Sequence, residues 1–152
     1  MQTQRVAILI PLAVGAIAVL CTIFIHALAV VATVNFVRRE KRLGREGAGL
    51  WTNLGIVSLA MSFIVVAHLI EIALWAVLFI ICGEFKEFGI AYYFSAVNYT
   101  TLGYGDLIMS PSWKLLGPLE AADGTFMFGV STAIIFAVMV RLIQAQFEDL
   151  RR

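Results

Sequence analysis

The fold of this chain follows from one run, Thr100-Thr101-Leu102-Gly103-Tyr104-Gly105-Asp106 (residues 100–106). The run lies between an apolar segment that ends near Cys82 and another that begins near Leu116. It offers carbonyl oxygens, threonine hydroxyls and two glycines, and it is too polar to face lipid. Non-helical backbone at membrane depth is tolerated only where it is buried in protein or lines a water-filled cavity. The run therefore predicts a backbone-lined site inside a membrane protein.

Composition supports the membrane environment. Of the 152 residues, 61% are hydrophobic and 14% are charged, whereas soluble domains carry about 25% charged residues. The net charge of +1 gives no reason to expect nucleic-acid binding. We interpret the two cysteines, Cys21 and Cys82, as small apolar residues rather than as a disulfide or a metal site.

The first apolar segment covers about residues 6–37 and is followed by the densest group of basic residues in the chain. A signal peptide has an apolar region of only about 7–15 residues, so we predict a transmembrane helix. Short loops rich in lysine and arginine stay cytoplasmic. Residues 1–48 are therefore predicted to form an N-terminal transmembrane helix and a cytoplasmic basic loop, with the N-terminus outside.

Residues 49–152 are predicted to form a pore domain. It comprises an outer helix (50–82), a short helix too short to span the membrane (90–100), the glycine run (101–106) and an inner helix (117–150). Glu120 and Arg141 are separated by about 31 Å along the inner helix, close to the ~30 Å of a bilayer core. The predicted fold is an all-α integral membrane protein with three transmembrane helices and a re-entrant loop, in the cell (plasma or inner) membrane with a cytoplasmic C-terminus.

Residues 91–106 resemble the pore helix and selectivity filter of potassium channels of the two-transmembrane pore-loop type, here with one extra N-terminal helix. The chain differs mildly from that pattern at Asn98, Tyr99 and Leu102. The Leu119-Glu120-Ala121 run with Gly124 and Gly129 resembles the inner helix with its hinge glycine. The resemblance covers about residues 90–143.

The resemblance implies a passive, potassium-selective channel in which backbone carbonyls replace the water shell of K⁺. Glycine adopts positive φ without steric cost, so a backbone of alternating handedness can point its carbonyls along one axis. One chain offers one carbonyl per layer, and closed rings are usual for identical subunits, so we predict a homotetramer. The predicted ion-binding residues are Thr101, Leu102, Gly103, Tyr104 and Gly105, with K⁺ at the carbonyls of the first four. Asp106 is assigned to the outer mouth, and Tyr92, Tyr93 and Phe94 to an aromatic cuff around Tyr104.

Five residues of the inner helix recur at i+4 and share a slowly drifting face. These residues are Gly124, Phe128, Thr132, Phe136 and Val140. We predict that Phe128 and Thr132 face a cavity and that Phe136 or Val140 forms an apolar constriction, which can gate by dewetting. The alternative is that the phenylalanines pack on the outer helix. Gly124 and Gly129 either form a hinge or allow close helix packing.

Ionisable residues within the apolar segments are candidates for function. We expect Glu120 and Asp123 to bond to the pore helix or to attract cations. His26, His68 and Glu71 are predicted to form an intramembrane polar cluster. The cluster is either a proton-sensitive latch, since histidine titrates near neutral pH, or a set of hydrogen bonds between helices.

The alternative functions are a modulatory or non-conducting pore subunit, a weakly selective cation channel, and an ion transporter with filter-like loops. Catalytic spacing is not recognisable, so we predict no enzyme, and no cofactor besides K⁺ in the filter. The sequence does not indicate voltage sensing, because no segment carries regularly spaced arginines. Basic residues near the membrane attract anionic lipid, and those predicted to do so are Arg38, Arg39, Lys41, Arg42 and Arg45.

Overall fold

The computed structural model describes residues 2–45 and 49–149, with side chains for residues 8–45 and 49–147. These residues form four helices and no strand. The helices are α1 (Gln2–Arg42), α2 (Leu50–Ile81), α3 (Phe88–Tyr99) and α4 (Leu116–Asp149). The predicted all-α class is confirmed.

Three of the four helices are long and apolar enough to cross a membrane. The candidate spans are Ile8–Arg42, Leu50–Ile81 and Leu116–Phe147, of 35, 32 and 32 residues. About 20 residues suffice to cross the hydrocarbon core. α3 has 12 residues and a length of about 18 Å, so it cannot span. The chain is thus a multi-pass membrane protein, with three spanning helices and one short helix as predicted.

The helix ends differ most from the prediction at α1, which ends at Arg42 instead of residue 37. The residues after Val37 are helical because arginine, lysine and glutamate are good helix formers and because basic residues are favourable at a helix C-terminus. Gly44, at φ 68°, follows the helix. Several predicted features lie outside the described residues. They are the boundary at residue 48, the helix end at residue 150, and the charged residues Glu46, Arg151 and Arg152.

The chain divides into two compact units. The first, which we call the loop unit, combines the chain up to Ile25 with Leu69–Met127. Its core is aromatic: Trp75, Phe79 and Tyr99 are fully buried beside Leu116. α1 joins this unit through a close approach at Gly15, where an added Cβ would lie 2.6 Å from Cδ1 of Leu119. The unit therefore contains α3, the glycine run and the adjoining ends of the long helices.

The second unit, which we call the histidine unit, combines His26–His68 with the chain from Phe128 onward. Its core is small and aliphatic. The buried core residues are Val37, Ile56, Val138 and Leu142. Two phenylalanines, Phe36 and Phe63, meet edge to face with ring centroids 5.8 Å apart.

Candidate functional site

The glycine run begins as a continuation of α3. The amide of Thr101 donates to the carbonyl of Asn98 (2.8 Å), and the amide of Leu102 donates to Val97 (2.9 Å). The Gly103 amide also points at the Val97 carbonyl (3.3 Å). Because the last carbonyls of a helix lack partners within the helix, these amides satisfy them and fix where the run leaves α3.

Every second residue of the run has a left-handed backbone. The φ angles are 59° at Thr101, 57° at Gly103 and 73° at Gly105. Leu102 and Tyr104, between them, have negative φ. A backbone that alternates in handedness turns successive carbonyls toward the same side, which is the arrangement expected from the two glycines. The residue that sequence reasoning missed is Thr101, a β-branched residue for which positive φ is unusual.

The side chains between the left-handed residues project away from the packed chain. Leu102 is 56% exposed and Tyr104 is 66% exposed. Ile108, just beyond the run, is 85% exposed. Large side chains with this much exposure are candidates for an interaction surface or for contact with lipid.

Asp106 closes the run and is bonded back to α3. The Tyr93 hydroxyl donates to Oδ2 of Asp106 at 2.8 Å. This hydrogen bond raises the pKa of Tyr93, so the hydroxyl remains a donor. One carboxylate oxygen of Asp106 is therefore oriented by Tyr93, a residue of α3 that lies about two helical turns before the run begins.

The chain after the run is anchored to the end of α2 through Glu84. The Ser110 amide donates to Oε2 of Glu84 at 2.7 Å, and the Ser110 hydroxyl lies 2.5 Å from Oε1. Sequence reasoning missed this pair. The sequence shows only that one polar loop contains Glu84 and Glu87 and the other contains Ser110 and Ser112.

α3 is bonded to both neighbouring helices by buried polar side chains. The Ser95 hydroxyl lies 2.8 Å from the Ile72 carbonyl oxygen of α2 and 2.5 Å from Oε1 of Glu120 on α4. The Tyr99 hydroxyl donates to Oε2 of Glu71 on α2. Glu120 thus bonds to α3, as in the first of the two expectations for this residue.

Asp123 bonds two helices to α4. Its Oδ2 accepts from the Thr22 hydroxyl of α1 at 2.8 Å and from Nε1 of Trp75 on α2 at 3.0 Å. All three side chains are buried. The N-terminal helix is therefore attached to α4 by a hydrogen bond between side chains, and neither partner of Asp123 was identified from the sequence.

The aromatic residues of α3 have separate partners. Phe94 packs against Phe79 and Phe85, with ring centroids 5.3 and 4.9 Å apart. Tyr92 contacts Phe88 at 5.7 Å. Phe94 thus belongs to the core of the loop unit, where the residue is 7% exposed.

The candidate gating residues of α4 fall in both units. Gly124, in the loop unit, lies against Tyr99, and an added Cβ would be 2.1 Å from the Tyr99 carbonyl oxygen. In the histidine unit, a Cβ added at Gly129 would meet nothing within 4 Å, and Val140 is half-buried. Close packing explains the glycine at residue 124, whereas it does not explain the glycine at residue 129.

A cavity of about 430 Å³ lies in the histidine unit. Phe128, Thr132 and Phe136 line it, and so do His68 and Ser131. The Phe128 ring stacks obliquely on His68 with centroids 4.6 Å apart. Phe128 and Thr132 thus line one pocket of the single chain, while their place in a pore cavity below the filter stays a prediction. Phe128 also packs on α2, as in the alternative.

The members of the predicted polar cluster have different partners. In the histidine unit, Nε2 of His68 lies 2.9 Å from the Ser131 hydroxyl, and Nε2 of His26 lies 3.2 Å from the same oxygen. Glu71 belongs to the loop unit, where Tyr99 donates to it. Sequence reasoning missed Ser131, which is a single hydroxyl in an apolar stretch of α4.

The basic residues at the end of α1 are exposed, and Arg45 forms an ion pair with Glu40 at 3.3 Å. The exposed basic residues are Arg38, Arg39, Lys41, Arg42 and Arg45. The Arg45 side chain is 60% exposed and the Glu40 side chain 10% exposed, so this ion pair lies at the edge of the packed chain. These residues form a positive patch next to a candidate span.

Comparison with known proteins agrees with the membrane architecture. The family model described as ion channel matches residues 63–141, which include most of α2, all of α3, the glycine run and most of α4. Comparisons with curated proteins and with solved structures gave no match. Since the matched residues make up more than half of the chain, the protein belongs to this ion channel family.

Proposed function

We propose that this chain is one quarter of a potassium-selective channel in which residues 101–106 form the filter. The observation that carries the proposal is the left-handed backbone at Thr101, Gly103 and Gly105. With residues of ordinary handedness between them, carbonyls of the run can face one axis. Carbonyl oxygens in such an arrangement replace the hydration shell of K⁺.

Four chains are needed because each chain contributes one oxygen to each layer. The carbonyls of Thr101, Leu102, Gly103 and Tyr104 and the Thr101 hydroxyl would then form stacked rings of oxygen atoms. The exposure of Leu102 and Tyr104 in the single chain supports this assembly, because neighbouring subunits would cover both side chains. Symmetric closed rings are the common assembly of identical chains.

Two further features favour a cation at this site. The C-terminal end of α3 leads into the run, and a helix C-terminus carries partial negative charge. Asp106, held by Tyr93 at 2.8 Å, places a carboxyl group at the other end. Tyr104 completes the Gly-Tyr-Gly sequence, which in the family resemblance favours potassium over sodium.

The N-terminal helix is proposed to hold the pore domain in place. Thr22 bonds to Asp123 and Gly15 packs on Leu119, so α1 contacts α4 at two levels within the loop unit. The exposed basic patch at its other end (Arg38–Arg45) is proposed to contact anionic lipid headgroups, which attract such clusters.

The experiment is reconstitution of the purified protein in liposomes, with K⁺ flux followed under a K⁺ gradient and the mass of the detergent-solubilised assembly measured in parallel. We expect a tetramer and a K⁺ flux that the protein supports alone. A tetramer without flux would favour the modulatory subunit. A monomer or dimer would overturn the shared filter.

A further inference from the structure

The chain has two histidines, and the side chains of both lie next to the hydroxyl oxygen of Ser131. His26 lies on α1 and His68 on α2, 42 positions apart in sequence. Nε2 of His26 is 3.2 Å from the Ser131 hydroxyl oxygen, and Nε2 of His68 is 2.9 Å from it. Both side chains are buried, at 2% and 8% exposure. Three helices of the histidine unit, α1, α2 and α4, thus bring two imidazoles and one hydroxyl together.

The geometry at this point is close to that of two metal ligands. The ring centroids are 5.2 Å apart, and a ring nitrogen of His26 lies within 4.8 Å of a ring nitrogen of His68. Two imidazoles on a tetrahedral zinc ion, at about 2.0–2.1 Å each, have nitrogens about 3.4 Å apart. Side-chain rotation would have to bring the two Nε2 atoms, which now lie 3.2 and 2.9 Å from the serine oxygen, to that separation. The serine hydroxyl marks the place where both Nε2 atoms are directed.

A hydroxyl has one proton and can donate to only one of the two imidazoles. The other imidazole then donates its own Nε2 proton to the serine oxygen. In this arrangement one Nε2 carries a lone pair directed at the shared point, and the other would present one in its second neutral tautomer. Metal ligation requires this lone pair on each nitrogen.

Room for further ligands lies beside the pair. His68 and Ser131 are on the wall of the cavity of about 430 Å³. The remaining wall is apolar except for Thr132, and it includes Met61, Ile64, Val65, Phe128, Ile135, Phe136 and Met139. A space of this size can hold several water molecules only where polar groups bind them. A metal ion held by the two imidazoles would itself bind such water, which would complete its coordination.

We propose that His26 and His68, with Ser131 between them, form a binding site for a divalent transition-metal ion of the class that prefers imidazole, Zn²⁺, Cu²⁺ or Ni²⁺. Imidazole nitrogen suits these ions, whereas carbonyl and water oxygens suit the harder cations. The site is distinct from residues 101–106, which offer only oxygen. A bound ion would link α1 to α2 within the histidine unit.

The test measures binding to the detergent-solubilised protein without any ion gradient, so a protein that fails to conduct can still support this inference. The background is the Cys21→Ser, Cys82→Ser double variant without a polyhistidine tag, which removes the two thiols. Burial raises the pKa of Cys82, but Cys21 is exposed. Excess Mg²⁺ in all samples occupies weak carboxylate sites.

Titration calorimetry with Zn²⁺ should give one ion per chain, and electron paramagnetic resonance of the Cu²⁺ form should show coupling to two nitrogens. His26→Gln and His68→Gln keep a polar group near Ser131, and each should weaken Zn²⁺ binding at least about tenfold, a loss that changes around a metal readily produce. The matched control is Asn53→Gln, another buried polar residue of the histidine unit, which should bind as the background does.

A gain of affinity provides an independent check on the geometry. Ser131→Cys places a thiolate where both Nε2 atoms point, and thiolate is a strong zinc ligand. We expect Zn²⁺ binding to tighten at least about tenfold. Unchanged affinity in Ser131→Cys, or one-to-one binding that persists in the His26→Gln, His68→Gln double variant, would overturn the proposal. So would the absence of nitrogen coupling in the Cu²⁺ spectrum.

Discussion

The Tyr99 carbonyl lies directly against the backbone of Gly124: a Cβ at residue 124 would be 2.1 Å from the carbonyl oxygen and 2.9 Å from the carbonyl carbon. Tyr99 is the last residue of α3, so α4 contacts the short helix just before the glycine run begins. The hydroxyl of the same tyrosine donates a hydrogen bond to Glu71 on α2. The position of the run therefore depends on a contact that only glycine permits.

Gly124→Ala should destabilise the protein and abolish its K⁺ flux, because backbone atoms of Tyr99 cannot move aside as a flexible side chain can. Overpacking of this kind costs about 1–3 kcal/mol or more. The control is Gly129→Ala, where nothing lies within 4 Å of the added carbon. Thermal unfolding of the detergent-solubilised protein checks the difference. If Gly124→Ala and Gly129→Ala lower stability and flux equally, the result would favour a hinge that uses both glycines. It would count against close packing at Gly124 as the reason for the glycine there.

Gly103→Ala tests the left-handed backbone separately from packing. An added Cβ at residue 103 meets nothing within 4 Å, but φ is 57°. Holding an L-residue in the left-handed region costs about 1–2 kcal/mol, so the run should change conformation and K⁺ flux should be lost while the helices persist. Gly89→Ala, with open space and helical φ at the start of α3, should conduct normally. Normal flux in Gly103→Ala would count against the alternating backbone.

Thr22→Val tests the attachment of the N-terminal helix. The Thr22 hydroxyl lies 2.8 Å from Oδ2 of Asp123 and 2.8 Å from the Val19 carbonyl oxygen of its own helix. The variant keeps the shape of the side chain but removes this hydroxyl, and hydrogen bonds to charged groups contribute about 1.5–3 kcal/mol. Thr33→Val is its control, because Thr33 is equally buried and its hydroxyl donates to a carbonyl of its own helix, that of Ala29. We expect the free energy of unfolding to fall by about 1.5–3 kcal/mol in Thr22→Val and by no more than about 1 kcal/mol in Thr33→Val. A similar loss of unfolding free energy in both variants would show that the hydrogen bond from Thr22 to Asp123 contributes no more than a bond within one helix.

Phe136→Ala tests the predicted constriction. Phe136 lines the cavity of the histidine unit and is 67% exposed in the single chain, so its loss should cost little folding energy. If four copies form an apolar ring that gates by dewetting, basal K⁺ flux in liposomes should rise. Phe126→Ala, at a similarly exposed residue of α4 that belongs to the loop unit, should leave the flux unchanged. Unaltered flux in Phe136→Ala would remove this residue from the gate.

The spanning helices could be predicted from the sequence because length and apolar composition alone set them, and α3 because it is too short to span. The left-handed residues could be predicted where glycine stands, at 103 and 105. Thr101 could not, because a β-branched residue ordinarily avoids positive φ. Its left-handed backbone accompanies the turn that ends α3, in which the Thr101 amide donates to Asn98 and the Leu102 amide donates to Val97.

Partners far apart in sequence were beyond prediction. Tyr99 and Glu71 are bonded across 28 positions, and Thr22 and Asp123 across 101. No periodicity connects such residues, since each pair depends on how two helices pack. His26 and His68 were grouped because they are buried ionisable residues, but the serine between them comes from a third helix, whose rotation the sequence leaves undetermined.

The most direct measurement of the central claim is the reversal potential of the purified protein in a planar bilayer, with K⁺ on one side and Na⁺ on the other. If carbonyls of residues 101–104 replace the water shell of K⁺, the reversal potential should follow the K⁺ gradient and shift with it when the K⁺ concentration is changed. A reversal potential that stays near zero under these opposed gradients would contradict a potassium-selective filter.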